Sequence, residues 1–383
     1  MKKRILFLAC ILSATCLFSA CNQGELPAES ETDLTTETAE AVTLSPEEAL
    51  TAERTAYLST VTYRDFVLTG EETPYYMGRW FNKEIDGISH KVTVTDGAHL
   101  YFLVENAPSF DVNFTVITTG TEPYFSYSID GGVPVRQHIT QPTVTLPDSG
   151  RHTVRIIADG MDEREGKWDL EKGFALRSVI PAEGGTLIGI RPTEKIVFFY
   201  GDSITEGVCA LDRGSNSDTN SATNAYSWQC AETLGVTPYL VGYGASGIIK
   251  EGSFNTMLNA IDYLSESRPV NDGIIPDVIV VNHGTNDSGI TRREYQDAVK
   301  ATLDHLRATY PDAPIVYMIP LNQSHVRAIT DAVAEIDNAH VVETRKWKPT
   351  YTDGLHPDAA GAQAVGEKLA AALVGIFGED FFA

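Results

Sequence analysis

The stretch "IVFFYGDSITEGVCA", residues 196–210, changes character within a few positions. Ile196–Tyr200 are all hydrophobic and read as a buried strand, and small and charged residues follow directly after a glycine. The pattern therefore puts Ser203 where a buried strand ends. A serine hydroxyl is a poor nucleophile unless a base accepts its proton and donors stabilise the oxyanion. Catalysis by Ser203 thus requires a histidine, an orienting acid and hydrogen-bond donors elsewhere in the chain.

Similar apolar strands recur after Pro192 and alternate with helical stretches. They read "KIVFFYG", "PYLVGYG", "DVIVVNHG", "PIVYMIP" and "HVVET". The longest helical stretch has one apolar face, formed by Tyr295, Val299, Thr302, Leu303 and Leu306. Such alternation predicts a parallel sheet covered by helices on both faces, a three-layer α/β domain over residues 193–383. Ligands bind beyond the carboxyl ends of the strands in such sheets.

Residues 65–192 have a different period. "HKVTVTDGAHLYFLVEN" alternates around a turn at Asp96–Gly97, and further short β-branched and aromatic runs follow between Asp-Gly and Ser-Gly turns. No long helical period interrupts them. This pattern predicts an antiparallel β-sandwich, and we favour a jelly-roll-like version. The sequence thus predicts two domains, all-β and then α/β.

Candidate partners for Ser203 lie near the other strand ends and near the C-terminus. "TDGLHPDAAG" supplies Asp353 and His356, and an Asp three residues before a His lets its carboxylate reach Nδ1–H while Nε2 stays free for the serine. "GTND" supplies Asn286, whose side-chain amide donates N–H groups. "GASG" supplies glycines whose backbone N–H groups can approach a ligand closely.

Four motifs, in this order, resemble the four blocks of the SGNH hydrolases, also called GDSL esterases. They are G-D-S-I-T-E-G at 201–207, G-A-S-G at 244–247, G-T-N-D at 284–287 and D-G-L-H-P at 353–357. The resemblance implies that Ser203 is the nucleophile, that His356 is the base and that Asp353 orients it. It also implies an oxyanion hole from the Ser203 amide, the Gly247 amide and the Asn286 side chain, with Gly244 as the alternative glycine.

Each residue also has a purely structural interpretation. Ser203 could cap the helix after "GDS", His356 could be a loop residue before a proline, and Asn286 could serve a turn. These interpretations leave the joint occurrence of four motifs unexplained, so we favour catalysis.

The order of a β-sandwich and then an SGNH domain resembles the second family of carbohydrate esterases, and "GRWF", "SYSIDGG" and "HTVRIIAD" are similar to its N-terminal pattern. That resemblance implies removal of O-acetyl groups from xylan or glucomannan. A lipid or small-ester hydrolase and an inert glycan-binding lipoprotein are the alternatives. The polar segment 211–224 favours a sugar over a fatty chain, and the intact set of catalytic residues argues against an inert protein.

Two residues are candidates for substrate contact. Trp347, a few residues before His356, offers an aromatic face for a sugar, although core packing is the alternative for any tryptophan. His283 sits at a predicted strand end, with strand-end packing as its alternative. Trp228 reads as part of a core helix, and Trp80 and Trp168 as core or interface residues of the sandwich.

Charge and motif content exclude several classes of ligand. The net charge of −23 argues against nucleic acid and against electrostatic docking to anionic lipid. The histidines are scattered, without an H-x-x-x-H or C-x-x-C pair, and no glycine motif for phosphate is present. We therefore predict no metal and no cofactor. The sequence does not predict the oligomeric state.

The N-terminus has the pattern of a secretion signal. Lys2, Lys3 and Arg4 precede a short apolar run, and "LFSAC" resembles the lipobox of bacterial lipoproteins, which implies cleavage after residue 20 and lipidation of Cys21. Ordinary secretion is the alternative. Residues 21–64 then read as an acidic flexible tether and lead-in, because residues 22–53 hold nine acids and no Lys or Arg. We therefore expect a secreted protein that contacts membrane only through a lipid anchor in the cell envelope.

Two further cysteines, Cys209 and Cys230, lie in the predicted folded part. In an oxidising compartment they would either form a disulfide or remain buried thiols, and the sequence spacing does not decide between these outcomes.

Overall fold

The computed structural model describes residues 66–253 and 255–382. The predicted signal segment and the whole predicted tether and lead-in, residues 21–64 with Cys21, lie outside the described residues. Within them, antiparallel sheets come first and a parallel sheet with helices follows, so the predicted fold class is confirmed. The change occurs between Pro192 and Ile196, next to the predicted boundary at 192/193.

The N-terminal half consists of two antiparallel sheets. The first contains β1 (Phe66–Leu68), β2 (Tyr75–Met77), β5 (His99–Glu105), β7 (Tyr124–Ile129), β8 (Val135–His138), β10 (His152–Gly160) and β12 (Thr186–Pro192). The second contains β3 (Phe81–Ile85), β4 (Ile88–Thr93), β6 (Ser109–Thr115), β9 (Thr143–Thr145) and β11 (Phe174–Pro181). The strand orders are β1-β12-β5-β10-β7-β8, with β2 also paired to β5, and β3-β4-β11-β6-β9. Phe102, Phe110 and Phe125 lie in the core of this sandwich.

Asp-Gly pairs have two different roles in the sandwich. Asp86–Gly87 and Asp130–Gly131 close the β3–β4 and β7–β8 hairpins, and all four residues have positive φ, between 49° and 75°. Positive φ at both positions is what the two-residue turn at Asp86–Gly87 requires, because Ile85 pairs directly with Ile88. The β7–β8 connection is longer and runs from Ile129 to Val135. Asp96–Gly97 instead joins β4 of one sheet to β5 of the other. A Cβ on Gly97 would lie 2.6 Å from Leu240 Cδ2, so this turn packs directly against the α/β half.

The C-terminal half is built on five parallel strands in the order β14-β13-β17-β18-β19. They are β13 (Ile196–Gly201), β14 (Thr237–Gly242), β17 (Val278–Asn282), β18 (Ile315–Met318) and β19 (Ala339–Val342). The helices are α1 (Ser203–Glu206), α2 (Tyr226–Leu234), α3 (Met257–Asp262), α4 (Arg292–Thr309), α5 (Val326–Val333) and α6 (Ala359–Phe377). A small hairpin, β15 (Tyr263–Ser265) and β16 (Arg268–Pro269), and 3₁₀ turns at Ala222–Asn224 and Glu379–Phe381 complete it.

Alternate residues of β13 enter two separate cores, as the period of a strand requires. Val197 and Phe199 pack in the core that contains α2 and α6 residues. Phe198 and Tyr200 pack in the core that contains α4 and α5 residues. The predicted apolar face of α4 is buried, which confirms that helix assignment. Among the described helices, α6 alone is long and apolar enough to cross a membrane, yet it contributes Val365, Leu369 and Leu373 to the core.

One of the buried hydrophobic clusters contains residues of both the sandwich and the α/β half. Tyr101 and Trp168 of the sandwich belong to the same buried cluster as Phe198, and the Trp168 and Tyr243 rings lie 5.3 Å apart, edge to face. Arg79, 1% exposed, donates a 2.7 Å hydrogen bond from Nη1 to the Tyr263 carbonyl and a second from Nη2 to the Ala260 carbonyl. Trp168 is therefore an interface residue, one of the two alternatives that the sequence left open.

Candidate active site

The nucleophile turn lies at the carboxyl end of β13. Asp202 is the N-cap of α1 and accepts a hydrogen bond from the Ile204 amide at 3.0 Å, and Ser203 is the first residue of the helix. A Cβ on Gly201 would lie 1.9 Å from Thr205 Oγ1, so only glycine fits where the chain turns from strand to helix. Capping, the structural alternative for Ser203, is thus performed by Asp202.

Three residues predicted to act together form a continuous chain of hydrogen bonds. His356 Nε2 lies 2.8 Å from Ser203 Oγ, and His356 Nδ1 lies 2.8 Å from Asp353 Oδ2. Ser203 is 153 positions from His356 in the sequence, so only the fold brings the two together. This is the geometry that proton transfer from a serine to an oriented imidazole requires.

A short turn before α6 fixes the base and its acid. Asp353 Oδ1 accepts hydrogen bonds from the Leu355 amide at 2.9 Å and the His356 amide at 2.8 Å. Burial opposes ionisation of this carboxyl, but the backbone and ring hydrogen bonds from His356 and the Leu355 amide outweigh it and lower the pKa of Asp353 to about 2. Asp353 is therefore a carboxylate at neutral pH and holds Nδ1–H of the imidazole.

The three groups that were predicted to form the oxyanion hole differ in whether their N–H groups already have hydrogen-bond acceptors. The Ser203 amide lies in the first turn of α1, where N–H groups have no partner within the helix. Asn286 Nδ2 donates to the Ser246 carbonyl at 3.0 Å and to Asp202 Oδ2 at 3.2 Å. The Gly247 amide donates to the Lys250 carbonyl at 2.9 Å. Both hydrogens of the Asn286 amide and the Gly247 N–H thus have partners here, and the oxyanion hole stays a prediction.

The Asp287 carboxylate holds the loop that contains the G-A-S-G motif at 244–247. The sequence did not reveal this role. The carboxylate accepts hydrogen bonds from the Ile248, Ile249 and Lys250 amides at 2.9 to 3.0 Å. A Cβ on Gly247 would lie 2.4 Å from Asp287 Oδ1, so glycine is required where the loop meets the carboxylate. The only sequence signal for this support was the position of Asp287 directly after Asn286.

His283 and Trp347, the two residues predicted to contact substrate, differ in how deeply they are buried. His283 is 1% exposed, and burial lowers the pKa of its imidazole to about 4, so it is neutral at physiological pH. That burial leaves His283 no surface for a substrate in this structure, and packing at the strand end is the role that it has here. Trp347 is partly buried and packs against the core that contains α6, and its use as a sugar platform stays a prediction. Trp228 is fully buried, as predicted.

A buried ionic cluster, defined here as Asp96, Glu163, Lys167 and Glu206, joins the sandwich to α1. Lys167 Nζ donates to Asp96 and to Glu163 at 3.1 Å each and to Glu206. Burial and the nearby Glu163 carboxylate raise the pKa of Glu206 well above its ordinary value, which favours its neutral acid form. Nothing in the sequence predicts this cluster, because each member reads as a separate surface charge.

The polar segment 211–224 connects the sandwich to the catalytic turn. Ser221 Oγ donates to Asp159 Oδ1 of the sandwich at 3.0 Å. Arg213 Nε donates to the carbonyl of Thr352, the residue before Asp353, at 3.0 Å. The sandwich therefore helps to position loops around the Ser203 site.

Both cysteines of the folded part are free thiols and buried. The sequence left open a disulfide or two buried thiols, and the structure contains the two buried thiols.

Comparison with known proteins agrees with this architecture. Residues 199–364 match the GDSL-like Lipase/Acylhydrolase family. Comparison with curated proteins gives no significant sequence match. Two similar solved structures are family two carbohydrate esterases. That from Clostridium thermocellum, in complex with cellohexaose, has 18% identity and a TM-score of 0.63 over 80% of this chain and 99% of its own. That from Cellvibrio japonicus has 20% identity and a TM-score of 0.62 over 83% and 99%.

An acetyl xylan esterase from the rumen bacterium Butyrivibrio proteoclasticus is also similar, with 15% identity and a TM-score of 0.59 over 83% of this chain and 100% of its own. At such identities these likenesses describe the fold. The similarity to the GDSL-like Lipase/Acylhydrolase family over residues 199–364 agrees with the resemblance that the four motifs carry. The part of the chain that these structures cover has the same two-part fold as those family two carbohydrate esterases.

Proposed function

We propose that this protein is a serine esterase that removes O-acetyl groups from a plant cell-wall polysaccharide, acetylxylan or acetylglucomannan. The observation that carries the proposal is the hydrogen-bonded chain from Ser203 Oγ through the His356 ring to Asp353, with both distances at 2.8 Å. A base within this distance of a serine hydroxyl is what acyl transfer requires.

In the first half-reaction, Ser203 Oγ attacks the carbonyl carbon of the acetyl ester and its proton passes to His356 Nε2. The imidazolium is stabilised by the Asp353 carboxylate at Nδ1, because that carboxyl stays ionised at neutral pH. The imidazolium then donates the proton to the departing sugar oxygen. The C–O bond to the sugar breaks, and an acetyl group remains on Ser203.

In the second half-reaction, His356 Nε2 accepts a proton from water as the water oxygen attacks the acetyl carbonyl. Collapse of that intermediate returns the proton to Ser203 Oγ and releases acetate. The Ser203 amide would stabilise the oxyanion in both steps. Asn286 and Gly247 would contribute if substrate binding exchanges their present partners for the oxyanion.

Three observations support a sugar ester as the substrate. The architecture is that of carbohydrate esterases, one of which was solved with a cello-oligosaccharide. The segment beside the nucleophile is polar and tied to the sandwich. The loop after β14 carries small residues, Gly244, Ala245, Ser246 and Gly247. A lipid or small ester is the alternative substrate, because the family includes lipases.

The test is a side-by-side assay of acetylated xylan, acetylated glucomannan and a long-chain nitrophenyl ester. We expect acetate from at least one polysaccharide and little cleavage of the long-chain ester. Ser203→Ala should fold normally and lose activity by a factor on the order of 10³ or more. Near wild-type activity in that variant would remove Ser203 as nucleophile. Efficient cleavage of the long-chain ester alone would favour the lipid-ester alternative.

We also propose that the enzyme is secreted and held at the bacterial cell envelope by lipid on Cys21. The support is the lipobox-like "LFSAC" and the acidic segment that follows it. A tether of that composition would let a surface enzyme reach insoluble or bulky polysaccharide.

A further inference from the structure

The loop that follows α1 brings a thiol beside the catalytic base. Cys209 Sγ, a carboxylate oxygen of Asp353 and a ring nitrogen of His356 all lie within 4.8 Å of one another. Cys209 is 2% exposed, and its amide donates a 3.0 Å hydrogen bond to Asn220 Oδ1. The proposed esterase mechanism gives this thiol no task. Thiolate, imidazole and carboxylate are, however, the three kinds of side chain that bind zinc in proteins.

The spacing and the charge of this group suit a soft divalent cation. Bonds of about 2.0 to 2.3 Å in a tetrahedral site separate the ligand atoms by roughly 3.3 to 3.8 Å. Side-chain movements on the order of 1 Å would bring atoms within 4.8 Å to that separation. A thiolate and a carboxylate would together bring two negative charges to a divalent cation. The fourth position would stay open to water or to the Ser203 hydroxyl.

Such a cation would stop catalysis whichever nitrogen it occupies. His356 Nε2 faces the Ser203 hydroxyl, and Nδ1 faces the Asp353 carboxylate. A metal on Nε2 removes the lone pair that accepts the serine proton. A metal on Nδ1 replaces the proton that Asp353 holds, and it occupies the carboxylate that stabilises the imidazolium.

We propose that Cys209, Asp353 and His356 form an inhibitory site for a soft divalent cation such as Zn²⁺. On binding, the Cys209 thiol releases its proton to solvent, His356 coordinates as neutral imidazole, and no redox change occurs. Inhibition rests on the proposed esterase function, whereas binding of the metal does not.

Binding is tested first, without any substrate. Co²⁺ added to the metal-free protein should produce the near-ultraviolet charge-transfer absorption of a cobalt–thiolate bond, at one equivalent. Cys209→Ala should abolish this absorption. Cys230→Ala is the matched control, because Cys230 is a buried thiol in the core between α2 and the sheet, and that variant should keep the absorption. Absence of the band in the wild-type protein would overturn the proposal without reference to any variant.

Inhibition is tested second, with each protein's activity expressed relative to its own activity in EDTA. Zn²⁺ should lower wild-type esterase activity at least tenfold, and EDTA should restore it. In Cys209→Ala and in Cys209→Ser the inhibiting concentration should rise at least tenfold, while Cys230→Ala should stay as sensitive as wild type. Equal sensitivity of the Cys209 variants would overturn the site. A cobalt band in a protein that cleaves no ester would instead reject the proposed function and leave the site standing.

Discussion

Asn286 Nδ2 lies 3.2 Å from Asp202 Oδ2, so the predicted oxyanion donor and the residue before the nucleophile share a hydrogen bond. The same Asp202 carboxyl caps α1 through the Ile204 amide. Asp202 therefore fixes the nucleophile turn and the Asn286 amide relative to each other. Burial is the main cause that raises the pKa of Asp202 to about 7, with repulsion from Asp287 adding to it.

Asp202→Asn should change how stability depends on pH. In the folded protein Asp202 keeps its proton up to about pH 7, whereas in the unfolded chain it loses it near its ordinary value of 3.8. The folded state thus binds the extra proton between these values, and the contribution of Asp202 to the free energy of unfolding falls as pH rises from about 4 to 7.

Urea unfolding at intervals from pH 5 to pH 8 measures this dependence. The free energy of unfolding of the wild type, relative to the Asn variant, should decline with rising pH by at most about 1.4 kcal/mol per unit and level off above pH 7. Parallel pH profiles for the two proteins would show that Asp202 does not hold this proton.

Asp353→Asn should lower kcat by a factor on the order of 10² to 10⁴ and leave KM nearly unchanged. An amide NH₂ facing Nδ1 favours the tautomer with the proton on Nε2, which cannot accept the serine proton. Steady-state kinetics on nitrophenyl acetate measure both constants, with Asp297→Asn on the exposed face of α4 as the control. Unchanged turnover would mean that Ser203 and His356 suffice as a dyad.

Lys167→Met should destabilise the protein by about 3 to 5 kcal/mol, because it leaves the buried carboxyls of Asp96, Glu163 and Glu206 without their shared cation. Lys300→Met, which breaks an exposed ion pair with Asp304 on α4, is the control and should leave the unfolding midpoint nearly unchanged. Chemical denaturation of the three proteins makes the comparison. Equal midpoints would show that the cluster tolerates the loss of its cation by reprotonation.

Acyl chain length should be limited by the small residues near the nucleophile. Each methylene left in water forgoes about 0.8 kcal/mol of burial, so a longer chain gains no binding where no apolar wall covers it. Hydrolysis of nitrophenyl acetate should exceed that of butyrate clearly, and octanoate should be barely cleaved. A preference for octanoate would contradict a short acyl pocket.

Cys21→Ala should release the protein from the membrane fraction, because the lipobox interpretation makes that sulfur the attachment point. Fractionation of cells that produce the wild type and the variant, followed by detection of the protein, measures this. Continued sedimentation of the variant with membranes would indicate another anchor.

The sequence predicted those features that depend on local period and on short motifs. The strand ending before Ser203, the apolar face of α4 and the antiparallel sandwich all follow from spacing within a few residues. The separation of Asp353 and His356 by three positions likewise allowed their hydrogen bond to be anticipated, and it is present at 2.8 Å.

Features that depend on distant contacts could not be predicted in this way. Lys167 and Glu206 lie 39 positions apart, one in the sandwich half and the other in α1 of the α/β half. Nothing in the sequence around either residue marks them as buried partners. The Asp96–Gly97 turn has the composition of a hairpin turn, but it connects β4 of one sheet to β5 of the other. His283 follows a strand end like a site residue, yet the tertiary fold covers it.

Trp168 and Tyr243 pack in the same buried cluster, so the α/β half depends on the sandwich to cover part of its apolar surface. A shortened protein that begins near Ile196 would expose the apolar surface that the sandwich now covers and would lose the lysine beneath the nucleophile helix. Exchanging sandwiches between relatives would therefore require exchanging the facing residues of the parallel-sheet half as well. The two architectures would have to be inherited, and engineered, as one piece.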